Sequence, residues 1–219
     1  MIDIATLLND SVEYTRATLT RRWIRWLILA LYYPLNLGYY VAIMRGEKPD
    51  AGQLTDDEKL FKDGLSLFLI FAIYLFPVIL IFIVFPGGSA IELIYSVLIS
   101  GNSAETLSAF IRTIVNFFVG YGISLLTIIL LMPVAAMGAV RFARTHRFVE
   151  AFNFTAILLR IDRVGWVSYS VALIIPILII AALEMVLTLI PIIGWLFSFP
   201  VFFIFLSRYI TLIYESVPD

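Results

Sequence analysis

The sequence predicts an all-α polytopic membrane protein: four full transmembrane helices, an N-terminal re-entrant or broken hairpin, and short amphipathic interfacial helices. Five full crossings are the alternative. Three observations carry this reading. Of 219 residues, 62% are hydrophobic and only 14% charged, against about 45–50% and about 25% in a soluble domain. Mean hydropathy is +1.00, and a fold with that much apolar surface needs the bilayer as its solvent. Five stretches (23–44, 64–85, 113–132, 166–189 and 195–213) approach the roughly 20 apolar residues that cross a hydrocarbon core about 30 Å thick.

The elements follow in chain order. Residues 1–22 read as an amphipathic interfacial segment, with Ile4, Leu8, Val12 and Leu19 on its apolar side. Residues 23–219 read as a single integral membrane domain. The first apolar stretch holds Pro34-Leu-Asn36-Leu-Gly38 at its middle. Pro interrupts the helical ladder, Gly permits a turn, and Asn36 can bond the freed backbone groups at depth. This predicts a hairpin that enters and leaves on one side. Capping boxes mark the next starts: Thr55-Asp-Asp-Glu58 before the second span, Ser89-Ala-Ile-Glu92 before a short helix to about Ile99, and Asn102-Ser-Ala-Glu105 before the long third span. Pro86-Gly-Gly and Ser100-Gly101 supply the breaks. Residues 148–161 form either a second surface helix or an extension of the fourth span, and residues 190–194 turn the fourth span into the fifth.

Charge sets the expected orientation. Four Arg (Arg16, Arg21, Arg22 and Arg25) lie before or at the very start of the first stretch, four Lys or Arg lie in 45–63 and five in 141–163. Cytoplasmic loops collect such residues, so these segments and both termini are expected inside, with 86–102 outside. Trp166, Tyr169, Tyr209 and Tyr214 are expected at the inner interface and Trp195 at the outer one. An offset of 99 residues superposes Pro34 on Pro133, Arg45 on Arg144, Asp63 on Asp162 and Pro77 on Pro176. This weak repeat pairs 23–85 with 122–184, an arrangement common in transporters.

Few residues offer chemistry. A net charge of −1 gives no case for nucleic acid. Zero Cys and one His remove disulfides, thiolate nucleophiles and the usual metal sites, and no nucleotide or hydrolase motif is present. The chain is expected not to be an enzyme and to have no cofactor, metal or catalytic residue. Glu184 is the acid well inside a hydrophobic run; it carries a proton or cation, or it pairs structurally with Arg112. Asn36 and Asn116 line a polar path or hold helices together. Arg141, Arg144 and Arg147 flank His146 and either meet lipid headgroups or simply orient the chain. Expected partners are the lipid bilayer and other membrane proteins or a second copy. A non-catalytic membrane subunit or scaffold is the favoured role; a small oligomeric transporter or channel using Pro-broken helices and Glu184 is the alternative.

Two stretches carry a family resemblance. One is Gly38-Tyr-Tyr-Val-Ala-Ile-Met-Arg45-Gly-Glu, with Leu60-Phe-Lys-Asp-Gly64-Leu and Ile73-Tyr-Leu-Phe-Pro77 after it; the other is Arg141-Phe-Ala-Arg-Thr-His-Arg-Phe148-Val-Glu-Ala-Phe152. Together they resemble the archaeal and bacterial multi-pass membrane proteins grouped as domain of unknown function 4013. The resemblance runs from Trp23 onward and departs where Lys48-Pro49-Asp-Ala-Gly-Gln replaces a Leu-Pro-x-Trp cluster. It implies a prokaryotic, archaeal plasma-membrane protein and brings no activity, cofactor or site residue.

Overall fold

The structure, a computed structural model, describes residues 3–19, 33–46, 57–187, 189 and 193–217. Among these residues every regular element is helical and no strand occurs. The elements are α1 (Ile4–Leu19), α2 (Tyr33–Arg45), α3 (Asp57–Phe82), a π-helical turn (Ile83–Gly87), α4 (Gly88–Tyr95) and a second π-helical turn (Ser96–Ser100). They continue with α5 (Ser103–Thr145), a 3-10 turn (Phe148–Phe152), α6 (Phe154–Val164), α7 (Trp166–Leu187) and α8 (Ile193–Glu215). By length and composition, three helical stretches among the described residues can cross a membrane: Glu58–Ser100, Ser103–Thr145 and Trp166–Leu187. Residues 23–32 of the first apolar stretch, Thr55 and Asp56 of the first capping box, and residues 190–192 of the expected turn lie outside the described residues. The chain forms two compact units, Met1–Ile70 with Pro133–Asp219, and Phe71–Met132.

The first unit is organised on α8, which packs against α1, α2 and α7. The turn expected at Pro34–Gly38 is helix instead. Pro34 falls in the first turn of α2, where a missing N–H leaves no ladder bond unmade. Gly38 serves close packing rather than a bend: a Cβ there would stand 1.9 Å from the Leu60 carbonyl oxygen of α3. Tyr40 of α2 stacks on Phe203 of α8, their ring centroids 5.3 Å apart. Tyr169 and Tyr209, expected in an interfacial belt, are fully buried in this core. The Tyr169 hydroxyl donates to the Pro133 carbonyl at 2.6 Å, which gives its polar tip a partner inside the protein.

Helix α1 meets α8 through small polar residues. Ser11 and Thr15 are buried, as are Ser207 and Thr211 on α8, while Val12 is 56% exposed. The hydroxyls of Ser11, Thr15 and Thr211 each donate to the carbonyl four residues earlier in their own helix. What remains is a flat surface of small side chains suited to close helix approach. One charge pair fixes the register: Arg208 donates to both carboxylate oxygens of Asp10, at 3.2 and 3.0 Å. Both side chains are partly exposed, so Asp10→Ala should cost about 1 kcal/mol. The exchange D10R/R208D should recover much of that loss in thermal unfolding of detergent-solubilised protein. Equal stability of all three proteins would remove the pair from the fold.

The second unit is an antiparallel helical hairpin turned by Gly101, whose φ is 61°. The break expected at Pro86-Gly-Gly is absent. A π-helical turn takes in Pro86, and the wider i→i+5 geometry absorbs the ring and its missing donor. Ser89 does not cap a new helix; its hydroxyl donates to the carbonyls of Phe85 and Pro86. Asn102 does cap α5, its side chain accepting from the Ala104 amide at 3.0 Å. The arms meet along Ser89, Ser96, Ala109, Gly120 and Ser124, all buried. A Cβ on Gly120 would come within 2.9 Å of the Phe85 Cβ. Thr113 donates across the hairpin to the Ser89 carbonyl at 3.0 Å and Thr106 to that of Ser96 at 3.3 Å.

Pro77, Pro133 and Pro176 lie inside continuous α-helices. The interruptions anticipated from them are therefore single missing ladder bonds rather than broken helices.

Candidate functional site

The polar chemistry of the first unit gathers where α2, α5 and α8 end. Arg45 and Arg144, the residues matched by the 99-residue offset, are reciprocal partners. Arg45 Nε donates to the Ala143 carbonyl at 3.1 Å, and Arg144 Nε donates to the Met44 carbonyl at 2.9 Å. Each arginine thus bonds the carbonyl just before the other. These carbonyls belong to the last turns of α2 and α5, where backbone acceptors have no partner in their own helix and the dipole favours a cation. Arg45 also pairs with Asp63 at 2.9 Å, with its side chain 8% exposed; Arg144 pairs with Glu215. Gly46 follows α2 with φ 83°, and a Cβ there would stand in ordinary contact, 3.4 Å, with the Arg144 guanidinium. The backbone conformation is what calls for glycine.

A cleft of about 540 Å³ opens beside this pair. Arg141, Arg144, Arg160 and Arg163 line it together with Tyr214 and Glu215. Helix α5 contributes the first two arginines and α6 the second two. Asn153 positions α6 by capping it, its side chain accepting from the Ala156 amide at 3.3 Å. Gly165, with φ 90°, ends α6 and makes it a helix separate from α7 rather than an extension of that span. Arg160 is buried and donates from Nε and Nη2 to the Tyr214 carbonyl, at 3.1 and 2.7 Å. Its guanidinium also lies 4.2 Å from the Tyr214 ring centroid, a cation–π contact. Arg141 pairs with Glu150 at 2.6 Å. That hydrogen bond, with one from Asn153, holds the Glu150 carboxyl below the usual carboxylate range, so it stays anionic beside Arg141.

The residues singled out from the sequence divide between the units. Arg141 and Arg144 share the cleft, whereas Arg147 is exposed and reaches only 4.0 Å from Glu150. Arg112 pairs with Glu92 at 2.6 Å within the hairpin, so an acid read as part of a capping box takes the charge offered to Glu184. Glu184 is half-buried on α7 and has no hydrogen bond or ion pair among the described residues. Asn36 is buried in the first unit with its side-chain oxygen unbonded; Asn116 is half-buried in the second. Sequence reasoning missed Arg160 and Arg163 as partners of Arg141 and Arg144. The available signal was spacing, since both pairs stand three residues apart and so share a helix face.

No curated protein matches the chain. No solved structure matches it either. The profile of a family described as protein of unknown function (DUF4013) matches residues 23–206; that span is most of the sequence, and the chain belongs to this family.

Proposed function

We propose that the protein is an integral plasma-membrane protein of a prokaryote that serves as a non-catalytic subunit or scaffold for other membrane proteins. Four full crossings and a cytoplasmic C-terminus complete this reading. The hairpin of the second unit carries the scaffold role. Its two arms, residues 71–100 and 103–132, are each about 45 Å long at 1.5 Å per residue, against a hydrocarbon core of about 30 Å. Ser89, Thr106 and Thr113 bond backbone carbonyls of the hairpin, while Ile91, Leu98 and Phe118 are 70%, 75% and 68% exposed. Even a tilted hairpin leaves apolar surface near its turn in need of protein cover. A shallow groove lined by Leu93, Val97, Leu107 and Phe110 lies at that end. The C-terminal orientation is supported by Glu215, which stands beside Arg144 in the arginine-rich 141–163 stretch.

Purification from native membranes in mild detergent, followed by mass spectrometry, tests the role. Stoichiometric companion proteins are expected, and L98E with L107E should release them while the chain stays folded. A companion-free wild type would overturn the scaffold reading. The reciprocal Arg45–Arg144 contacts favour duplicated halves and so sustain a second reading, a small oligomeric transporter. That reading predicts solute or ion flux in proteoliposomes that Glu184→Gln abolishes; equal flux would take Glu184 out of the mechanism.

A further inference from the structure

We infer that the Phe154–Leu158 edge of α6 is a membrane-anchoring surface, seated where acyl chains meet headgroups in the leaflet at which α7 begins. This rests on the membrane reading of α7 and not on the scaffold role. Attachment is the first reason. Gly165 alone separates the end of α6 from Trp166, the first residue of α7. Helix α7 is long and apolar enough to cross a membrane, so a helix joined to it by one residue cannot stand far from the bilayer surface. Trp166 is exposed at that junction, the level that tryptophan favours.

The distribution of side chains around α6 is the second reason. Ile157, Arg160 and Ile161 are buried. Phe154 and Leu158, four residues apart and so on one flank, are 49% and 40% exposed. Next around the helix, at about 100° per residue, come Asp162 and Thr155, both exposed. The opposite flank carries Leu159 and Arg163 into the lining of the cleft. An exposed apolar edge between a buried side and a polar side is the pattern of a helix lying in an interface. Hydrocarbon on every exposed side would strand the Asp162 charge, and water on every side would strand Phe154 and Leu158.

Continuity is the third. Helix α7 presents Val167, Val171, Ile174 and Leu178 outward, spaced three or four residues apart, while Tyr169, Ala172, Leu173 and Pro176 are buried. In a spanning helix such an outward stripe faces acyl chains. Just before that stripe in the chain, the Phe154–Leu158 edge offers the same apolar chemistry, and lipid is the occupant already present there. On another side of α6, Arg160 holds the Tyr214 carbonyl at the end of α8. The short helix is thus fixed both to the bilayer and to the bundle.

The chain has no Cys, so single cysteines are introduced by Phe154→Cys, Leu158→Cys, Thr155→Cys and Asp162→Cys, with Val171→Cys on α7 as the lipid-facing reference. All these positions are exposed, so none of the changes opens the core. Each full chain carries an environment-sensitive fluorophore and is reconstituted in nanodiscs of phosphatidylcholine and phosphatidylglycerol. Quenching is measured with nitroxide-bearing lipids and, separately, with aqueous iodide. Lipid quenching at 154 and 158 is expected to match that at 171 and to exceed that at 155 and 162 by about threefold or more, with iodide reversing the order. If 171 is quenched by lipid while 154 and 158 behave like 155 and 162, the edge stands in water; the inference is overturned and the membrane reading survives. Shielding of 154 and 158 from both quenchers means that protein covers the edge, which also overturns it. Absence of lipid quenching at 171 removes the membrane reading of α7 and this inference with it.

Discussion

Gly38→Ala should strongly destabilise the protein. On helix propensity alone the change is favourable by roughly 0.5–1 kcal/mol, because glycine loses more backbone freedom on folding than alanine. Packing opposes it. The new Cβ would stand 1.9 Å from the Leu60 carbonyl oxygen and 2.6 Å from its carbon. Those are backbone atoms inside a helix and cannot swing aside, so α2 must back away from α3. Overpacking of this kind costs about 1–3 kcal/mol, occasionally more, and this contact belongs at the upper end. Gly122→Ala is the matched control, since a Cβ there meets nothing within 4 Å. It should leave stability unchanged or raise it by up to about 1 kcal/mol. Thermal unfolding midpoints in detergent decide between them. A Gly38→Ala protein as stable as wild type would mean that α2 and α3 do not meet at this point.

The second large effect is expected at Arg45. Its side chain is 8% exposed, pairs with Asp63 and donates to the Ala143 carbonyl. Arg45→Ala leaves a mostly buried carboxylate without its cation and a helix-end carbonyl without its donor. Breaking a buried pair from one side costs about 3–5 kcal/mol. Arg45→Lys should recover only part of this, because a single ammonium lacks the fork that serves carboxylate and carbonyl together. Arg144→Ala is expected to cost less, about 1–2 kcal/mol, since the Arg144–Glu215 pair is 32% and 41% exposed and water screens it. If the two alanine variants unfold together, the difference in burial between the two halves of the clasp carries no energy.

Local features of the sequence foretold much of this arrangement. Surplus apolar residues predicted a helical membrane protein, and the helices at 58–100, 103–145 and 166–187 agree with it. Asn102 caps the long helix as its spacing suggested, because a cap depends only on residues within one turn. The 99-residue offset was a weak signal, yet its two arginines proved to be mutual partners. Where local reasoning failed, it treated prolines as breaks. Pro34 opens a helix and Pro86 lies in a π-helical turn. In both places the cost of the missing N–H is absorbed by geometry that residue identity does not reveal.

The sequence by itself determined what is set by composition and by contacts within a turn: the helical class, three apolar spans, the cap at Asn102 and the division of charge along the chain. Only the tertiary structure decided which charges meet. Asp10 finds Arg208, Glu92 takes Arg112, and Arg160 reaches the Tyr214 carbonyl. No periodicity encodes such pairs, because their partners are brought together by helices packing through small residues such as Gly38 and Ser11. The arginine cleft exists for the same reason. Its four arginines are spread over two helices, and packing against the end of a third brings them to one cleft.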